Sequence, residues 1–330
     1  MTELTQLRRT LTFDAASSRQ LAHRASVSEV LPTDTADAGD GYYLVAAQAP
    51  RSHLLFNDGA DRFIDLLVLV ETVRQGGTVV AHRFLDVPLD LAFVLRSATL
   101  EVLDLDAMRS GSAPAELVAD LTLTDLVRRE GVVTRMSAEA SLRINGRVAA
   151  RGGGAMIGVP MSDYEKIRPR SLKSVSRTEQ GNGPEQDRVE VLAPALVGRT
   201  NPRNVVVGKV TAAGAEAASR FSLVVDTSHP HFFDHPQDHV PGTLLLEALR
   251  QSAVAVAAPT LGVSPQDLVV TSCTTAFKRY VELGRPATCH VTAGRPFLPV
   301  LGGPSLPLEV EIRQSHLPAA MASLHVSVAP

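Results

Sequence analysis

A chain of 330 residues is long enough for about two domains. Its composition, 45% hydrophobic and 20% charged, is that of a globular protein, and a net charge of −3 excludes the basic footprint of a nucleic-acid binder. With no Trp and only 4% aromatic residues, the core has to be built from Leu, Val and Ala. The two cysteines, Cys273 and Cys289, exclude a disulfide framework and a Cys-rich metal site and fit a reducing compartment. The opening MTELTQLRRTLTF lacks the apolar stretch of a secretion signal, and no run approaches the roughly 18 apolar residues of a membrane span, so a cytoplasmic protein is expected.

In chain order, the first predicted strand is 42–48. A polar loop carrying His53 then leads into a helix over 65–76. Leu66-Leu67-Val68-Leu69-Val70 gives that helix an apolar surface all round, which predicts burial rather than an amphipathic surface position. Strands follow at 98–105, 117–126 and 132–144. Residues 117–124 (LVADLTLT) alternate apolar with polar, the pattern of an antiparallel sheet with one buried face. Arg151-Gly152-Gly153-Gly154 resembles a phosphate-cradling run but has no Walker Lys, so a strand bend or bulge is the expected role. Residues 168–188, rich in Ser, Gln, Gly and charge, read as an exposed linker. Beyond it come strands at 204–207 and 221–226, a histidine-bearing loop, a helix over 242–257 entered through Pro241-Gly242, and strands at 269–277, 288–292, 308–312 and 323–328.

The two halves repeat. Residues 52–78 and 228–254 align without a gap at an offset of 176 and share Ser-His, Phe, Asp, Leu and Glu-x-x-Arg-Gln, 8 identities in 27 positions. Unrelated sequence would give about two. Upstream, His23-Arg24 and Glu29-Val30-Leu31 match Gly198-Arg199 and Asn204-Val205-Val206. Downstream, Arg96-Ser97-Ala98-Thr99 resembles Arg285-Pro286-Ala287-Thr288, which implies a 13-residue insertion after the second helix. The expected organisation is a first domain over 1–160, a linker over 161–194 and a second domain over 195–330. One all-round apolar helix within one antiparallel sheet, made twice, predicts an α+β double hotdog: two antiparallel sheets, each wrapping a central helix, in one chain.

The stretch from His231 to Gly242, HFFDHPQDHVPG, running into Leu244-Leu245-Leu246-Glu247-Ala248-Leu249-Arg250-Gln251, resembles the signature of the A-factor biosynthesis (AfsA-type) hotdog family. Glu71-x-x-Arg74-Gln75 matches what that family carries in its first half. The resemblance spans both halves. It implies a double hotdog that joins a β-ketoacyl chain, borne by acyl carrier protein or coenzyme A, to dihydroxyacetone phosphate, in the making of a γ-butyrolactone, butenolide or furan signalling molecule. The same stretch is more distantly similar to the β-hydroxyacyl carrier-protein dehydratases, through Pro241-Gly242 and Glu247-Ala248. An ungapped match puts Phe233 where their loop His belongs, and only a two-residue gap brings His235 there.

Such a transfer needs a base for the attacking hydroxyl, donors for the developing oxyanion and a cation for the phosphate. Glu71 and Glu247 are the base candidates; Arg74 and Arg250 are the phosphate or oxyanion candidates, with Glu71 and Arg250 expected to matter most. The alternative is that each Glu-x-x-Arg is a structural i,i+3 ion pair. His231, His235, Asp238 and His239 in the second loop, and His53 in the first, are candidate substrate contacts. Three prolines break any helical face through the second loop, so a metal site is not expected there, and no redox cofactor is expected because no dinucleotide fingerprint is present. Competing functions are a dehydratase or thioesterase on carrier-bound acyl chains, and a non-catalytic acyl- or lactone-binding protein. No membrane partner is expected, and the oligomeric state is left open.

Overall fold

The chain is described by a computed structural model that covers residues 3–59, 62–178, 189–210, 219–299 and 301–330. It divides into two units: Met1–Asn57 with Asp61–Met161, and Asp58–Ala60 with Ser162–Pro330.

The first unit opens with a short helix, α1 (Glu3–Arg8), followed by β1 (Pro32–Asp37), β2 (Tyr42–Ala49), the long helix α2 (Leu66–Phe84), and β3 (Leu91–Val102), β4 (Ala115–Arg129), β5 (Val132–Ile144) and β6 (Arg147–Pro160). The strand order is β1-β2-β4-β5-β6-β3, and each of these neighbours pairs antiparallel. The second unit holds α3 (Met161–Thr178), β7 (Val207–Lys209), β8 (Arg220–Leu223), α4 (Gly242–Leu261), β9 (Leu268–Phe277), β10 (Ala287–Ala293), β11 (Ser305–Gln314) and β12 (Leu317–Val328). Its order, β7-β8-β10-β11-β12-β9, is again antiparallel at every step and reproduces the first unit strand for strand.

Each long helix packs against every strand of its own sheet. Residues 66–70 are buried, as their continuous apolar run predicts. Asp65 caps α2 by accepting from the Leu67 N–H, and α4 ends on Gly262 at φ 68, the left-handed turn a helix C-terminus favours. Among the described residues α4 is the helix long and apolar enough to cross a membrane, but most of its apolar stretch is buried against its own sheet.

Several expectations are corrected. Both helices run past their expected ends, α2 through Gly76-Gly77 to Phe84. Strands β1 and β6 escaped notice in the sequence because β1 is polar and β6 carries the glycine run. That run is strand interior, where an added Cβ at Gly153 would meet the Ala138 carbonyl oxygen, so it is a site of close strand approach and not a phosphate loop. The 13-residue insertion is absent: β9 follows α4 at nearly the spacing with which β3 follows α2, and the downstream likeness matches a piece of β3 to the start of β10. The expected linker begins as helix, because α3 runs from Met161 to Thr178 and buries Arg168 at 5% exposure; residues 179–188 of that segment lie outside the described residues.

Gly76-Gly77 stands where α4 has Ser252-Ala253. A Cβ on Gly76 would lie 2.9 Å from a Val45 methyl, whereas one on Gly77 would meet the flexible ends of Met156 and Met136, at 3.4 and 3.9 Å. Gly76→Ala is therefore expected to cost about 1–3 kcal/mol by overpacking. Gly77→Ala is expected to be neutral or to stabilise by up to about 1 kcal/mol through helix propensity. Urea unfolding of the two variants separates them, and equal shifts in the two midpoints would refute the distinction.

Candidate active site

The all-round apolar helices bring one charged pair each into the core. In α2, Glu71 is 2% exposed and in α4, Glu247 is fully buried. Neither is isolated. Glu71 accepts from Arg74 at i+3 (Nε to Oε1, 2.7 Å; Nη2 to Oε2, 2.9 Å), from Arg24 (Nη2 to Oε2, 2.7 Å) and from Gln75. Glu247 accepts from Arg250 (Nε to Oε2, 2.8 Å; Nη2 to Oε1, 2.6 Å), from Arg199 (Nε to Oε1 and Nη2 to Oε2, both 2.9 Å) and from Gln251.

The repeat extends to each auxiliary contact. Gln75 accepts from the Leu31 N–H and donates to the Glu29 carbonyl; Gln251 accepts from the Val206 N–H and donates to the Asn204 carbonyl. The residue before each buried loop arginine, His23 and Gly198, is left-handed, at φ 51 and φ 69. Arg24 and Arg199 are the residues that sequence reasoning did not single out. The signal was available, since both stand in the upstream part of the repeat.

This geometry changes the expected role of the glutamates. Burial pushes the Glu247 carboxyl up, but Arg199 and Arg250 outweigh it and hold it down at about 2. Each of its oxygens already accepts two or three hydrogen bonds, so Glu247 is a poor base. Glu71 is likewise held by two arginines and Gln75, with one of these bonds on Oε1 and three on Oε2. The glutamates instead fix the arginines. Arg74 and Arg250 are less buried, with side chains 21% and 12% exposed, and among the described residues each uses only Nε and Nη2 on protein partners. Nη1 of both has no hydrogen-bond partner among the described residues. In the first unit Arg74 lies on the wall of a small, partly open apolar pocket between α2 and strands β3, β5 and β6, with Val70, Val73, Leu95 and Met156.

The candidate histidines divide by geometry. His53 and His229 are turn staples in equivalent places. The Nδ1 of His53 accepts from the Leu55 and Phe56 N–H groups, and that of His229 from the His231 and Phe232 N–H groups. Their Nε2 atoms face Glu29 and Asn204, so both ring nitrogens of His53 are engaged within the protein. His231 is 1% exposed and its ring meets Phe232 edge-on. His235 uses Nδ1 on Asp234 and Nε2 on Gln237. Asp238 and His239 lie together, Nδ1 to Oδ1 at 2.6 Å.

No thiol in the described residues suits nucleophilic catalysis. Cys273 and Cys289 are both buried, and burial pushes their thiols up, that of Cys289 to about 12.

The sequence matches the A-factor biosynthesis hotdog domain over residues 5–159 and again over 182–330. It is 33% identical over 275 residues, 83% of this chain and 86% of the relative, to a 2-oxo-3-(phosphooxy)propyl 3-oxoalkanoate synthase of Streptomyces virginiae. It is 30% identical over 273 residues, 82% of this chain and 80% of the relative, to the enzyme of that name from Streptomyces coelicolor. Among solved structures, the pyran synthase domain from module nine of the sorangicin pathway aligns over 91% of this chain and 98% of its own length, with a TM-score of 0.51 at 12% identity, a likeness of fold alone. Both units thus carry the α+β hotdog arrangement anticipated from the repeat, and the chain belongs to the A-factor biosynthesis hotdog family.

Proposed function

We propose that this protein transfers a β-ketoacyl chain from a carrier thioester to the hydroxyl of dihydroxyacetone phosphate, releasing a thiol and a phosphorylated ester that is a precursor of a γ-butyrolactone-type signal. The observation that carries this reading is the pair of helix arginines, each oriented by a buried glutamate and each keeping Nη1 for an anion. A phosphate or an acyl oxyanion needs such a cation, and dehydration or simple hydrolysis of an acyl chain does not need a phosphate clamp. A dehydratase would also require a helix carboxylate able to exchange protons, which the saturated Glu247 opposes. The apolar lining beside Arg74 is compatible in character with an acyl chain, and the S. virginiae and S. coelicolor relatives bear the name of this ester's synthase. The thioester donor is acyl carrier protein or coenzyme A, and the two buried, reduced thiols support work in the cytoplasm.

The test is direct. Purified protein mixed with a β-ketoacyl carrier-protein thioester and dihydroxyacetone phosphate should yield the phosphorylated ester by mass spectrometry. Free acid alone, or an enoyl product, would replace this reading with thioesterase or dehydratase activity.

A further inference from the structure

With both helix carboxylates held between arginines, and Glu247 hydrogen-bonded on both oxygens, the proton of the attacking hydroxyl needs another acceptor. In the second unit the His239 imidazole is arranged to take it. His239 directs Nδ1 at Asp238 Oδ1, 2.6 Å away. Burial pushes the Asp238 carboxyl up, but hydrogen bonds from His239, Arg168 and Tyr164 outweigh it and hold it at about 2. Asp238 is therefore an acceptor at neutral pH, and Nδ1 carries the hydrogen. That leaves the lone pair on Nε2. Among the described residues Nε2 has no hydrogen-bond partner, and the ring remains 22% exposed. His53, His229 and His235 have both ring nitrogens engaged.

The surroundings fix this arrangement. Helix α3 supplies Tyr164, whose hydroxyl donates to Asp238 Oδ1 at 2.8 Å, and Arg168, whose Nε donates to Asp238 Oδ2 at 2.7 Å. Arg168 also grips Glu282 through Nη1 and Nη2, at 2.9 and 2.7 Å, and lies over the Tyr280 ring. Tyr280 meets the His239 ring edge-on at 4.7 Å, and His239 and Glu282 are joined as a backbone bridge. The charged and titratable groups around the imidazole are thus Asp238, Glu282, Arg168, Tyr164 and Tyr280. Burial lowers the proton affinity of His239, only partly offset by Asp238, so the imidazole is neutral at physiological pH.

We propose that His239 is the general base of the acyl transfer and that Asp238 is its positioning residue. This rests on the reaction proposed above. Nε2 takes the proton of the acceptor hydroxyl as its oxygen attacks the thioester carbonyl. The C–O bond forms, the C–S bond breaks, and the imidazolium returns the proton to the departing thiolate. This closes the balance as one ester and one thiol without any further reagent.

The experiment compares wild type with His239→Gln and Asp238→Asn in the ester-forming assay across a range of pH. His239→Gln is expected to lose about 10²–10⁴-fold in kcat with little change in KM for dihydroxyacetone phosphate. The wild-type rate should fall on acidification along a limb below the ordinary histidine range, because the base works only above its pKa. That limb should be absent in His239→Gln and shifted to lower pH in Asp238→Asn, where the charge that favours the imidazolium is gone. In His239→Gly, added imidazole should restore part of the rate. An undiminished His239→Gln rate with the acid limb intact overturns the assignment while leaving the reaction standing. No ester from wild type overturns the reaction and the assignment together. Nitrogen NMR of the wild-type imidazoles supplies a readout independent of any variant's folding. The Nδ1–H tautomer at His239 is expected, and an Nε2–H tautomer overturns the proposal.

Discussion

Replacing Glu247 by Gln should destabilise the protein by about 3–5 kcal/mol, the usual cost of breaking a buried ion pair from one side. The reason is the completeness of its contacts. Oε1 accepts from Arg199, Arg250 and Gln251, and Oε2 from Arg199 and Arg250. An amide NH2 in place of either oxygen sets donor against donor and leaves Arg199, only 2% exposed, without a counter-charge. The pH dependence follows from the same network. The folded carboxyl is held at about 2, below the ordinary 4.5. The stabilisation is therefore full above about pH 4.5 and is lost as pH falls from there toward 2, amounting to on the order of 3 kcal/mol. Urea unfolding of wild type and Glu247→Gln between neutral and acid pH checks both statements. A variant within about 1 kcal/mol of wild type at pH 7 would be incompatible with this account, since surface pairs are the ones that cost so little.

Arg250→Ala should lower kcat/KM for ester formation by roughly 10- to 150-fold, the equivalent of about 1.5–3 kcal/mol for one charge-assisted contact to phosphate or oxyanion. Arg250 is chosen because its loss leaves Glu247 paired with Arg199, so the fold should survive. Its Nε and Nη2 are committed to Glu247 and the Val197 carbonyl, and the missing group for the substrate is Nη1. Arg250→Lys restores a charge but not the fork and should recover only part of the rate. The parallel variant Arg74→Ala reports on the first unit, where the same guanidinium borders the apolar pocket. A folded Arg250→Ala protein with wild-type kinetics would remove the residue from the site.

What the sequence determined by itself is what short-range pattern can hold. Leu66 to Val70 announced a buried helix because an apolar surface on every face has no other stable place. The Glu-x-x-Arg pairs were legible because i,i+3 spacing on a helix makes contact without tertiary help. The duplication was legible because it is a property of the string, and with it came the α+β hotdog built twice. The polar strand β1, the glycine-bearing β6 and the helical start of α3 were not, since local propensity there is overridden by pairing and packing. Tertiary structure alone decided the chemistry of the charged groups. Arg24 and Arg199 reach glutamates nearly fifty residues away, and α3 brings Tyr164 and Arg168 to Asp238 across seventy or more. Those long-range donors turned Glu71 and Glu247 from candidate bases into anchors for arginines. The distribution of hydrogen bonds, which no spacing encodes, separated His239 from the histidines that merely hold turns. A side chain's proton affinity is set by what surrounds it in space, and for these residues the neighbours come from distant parts of the chain.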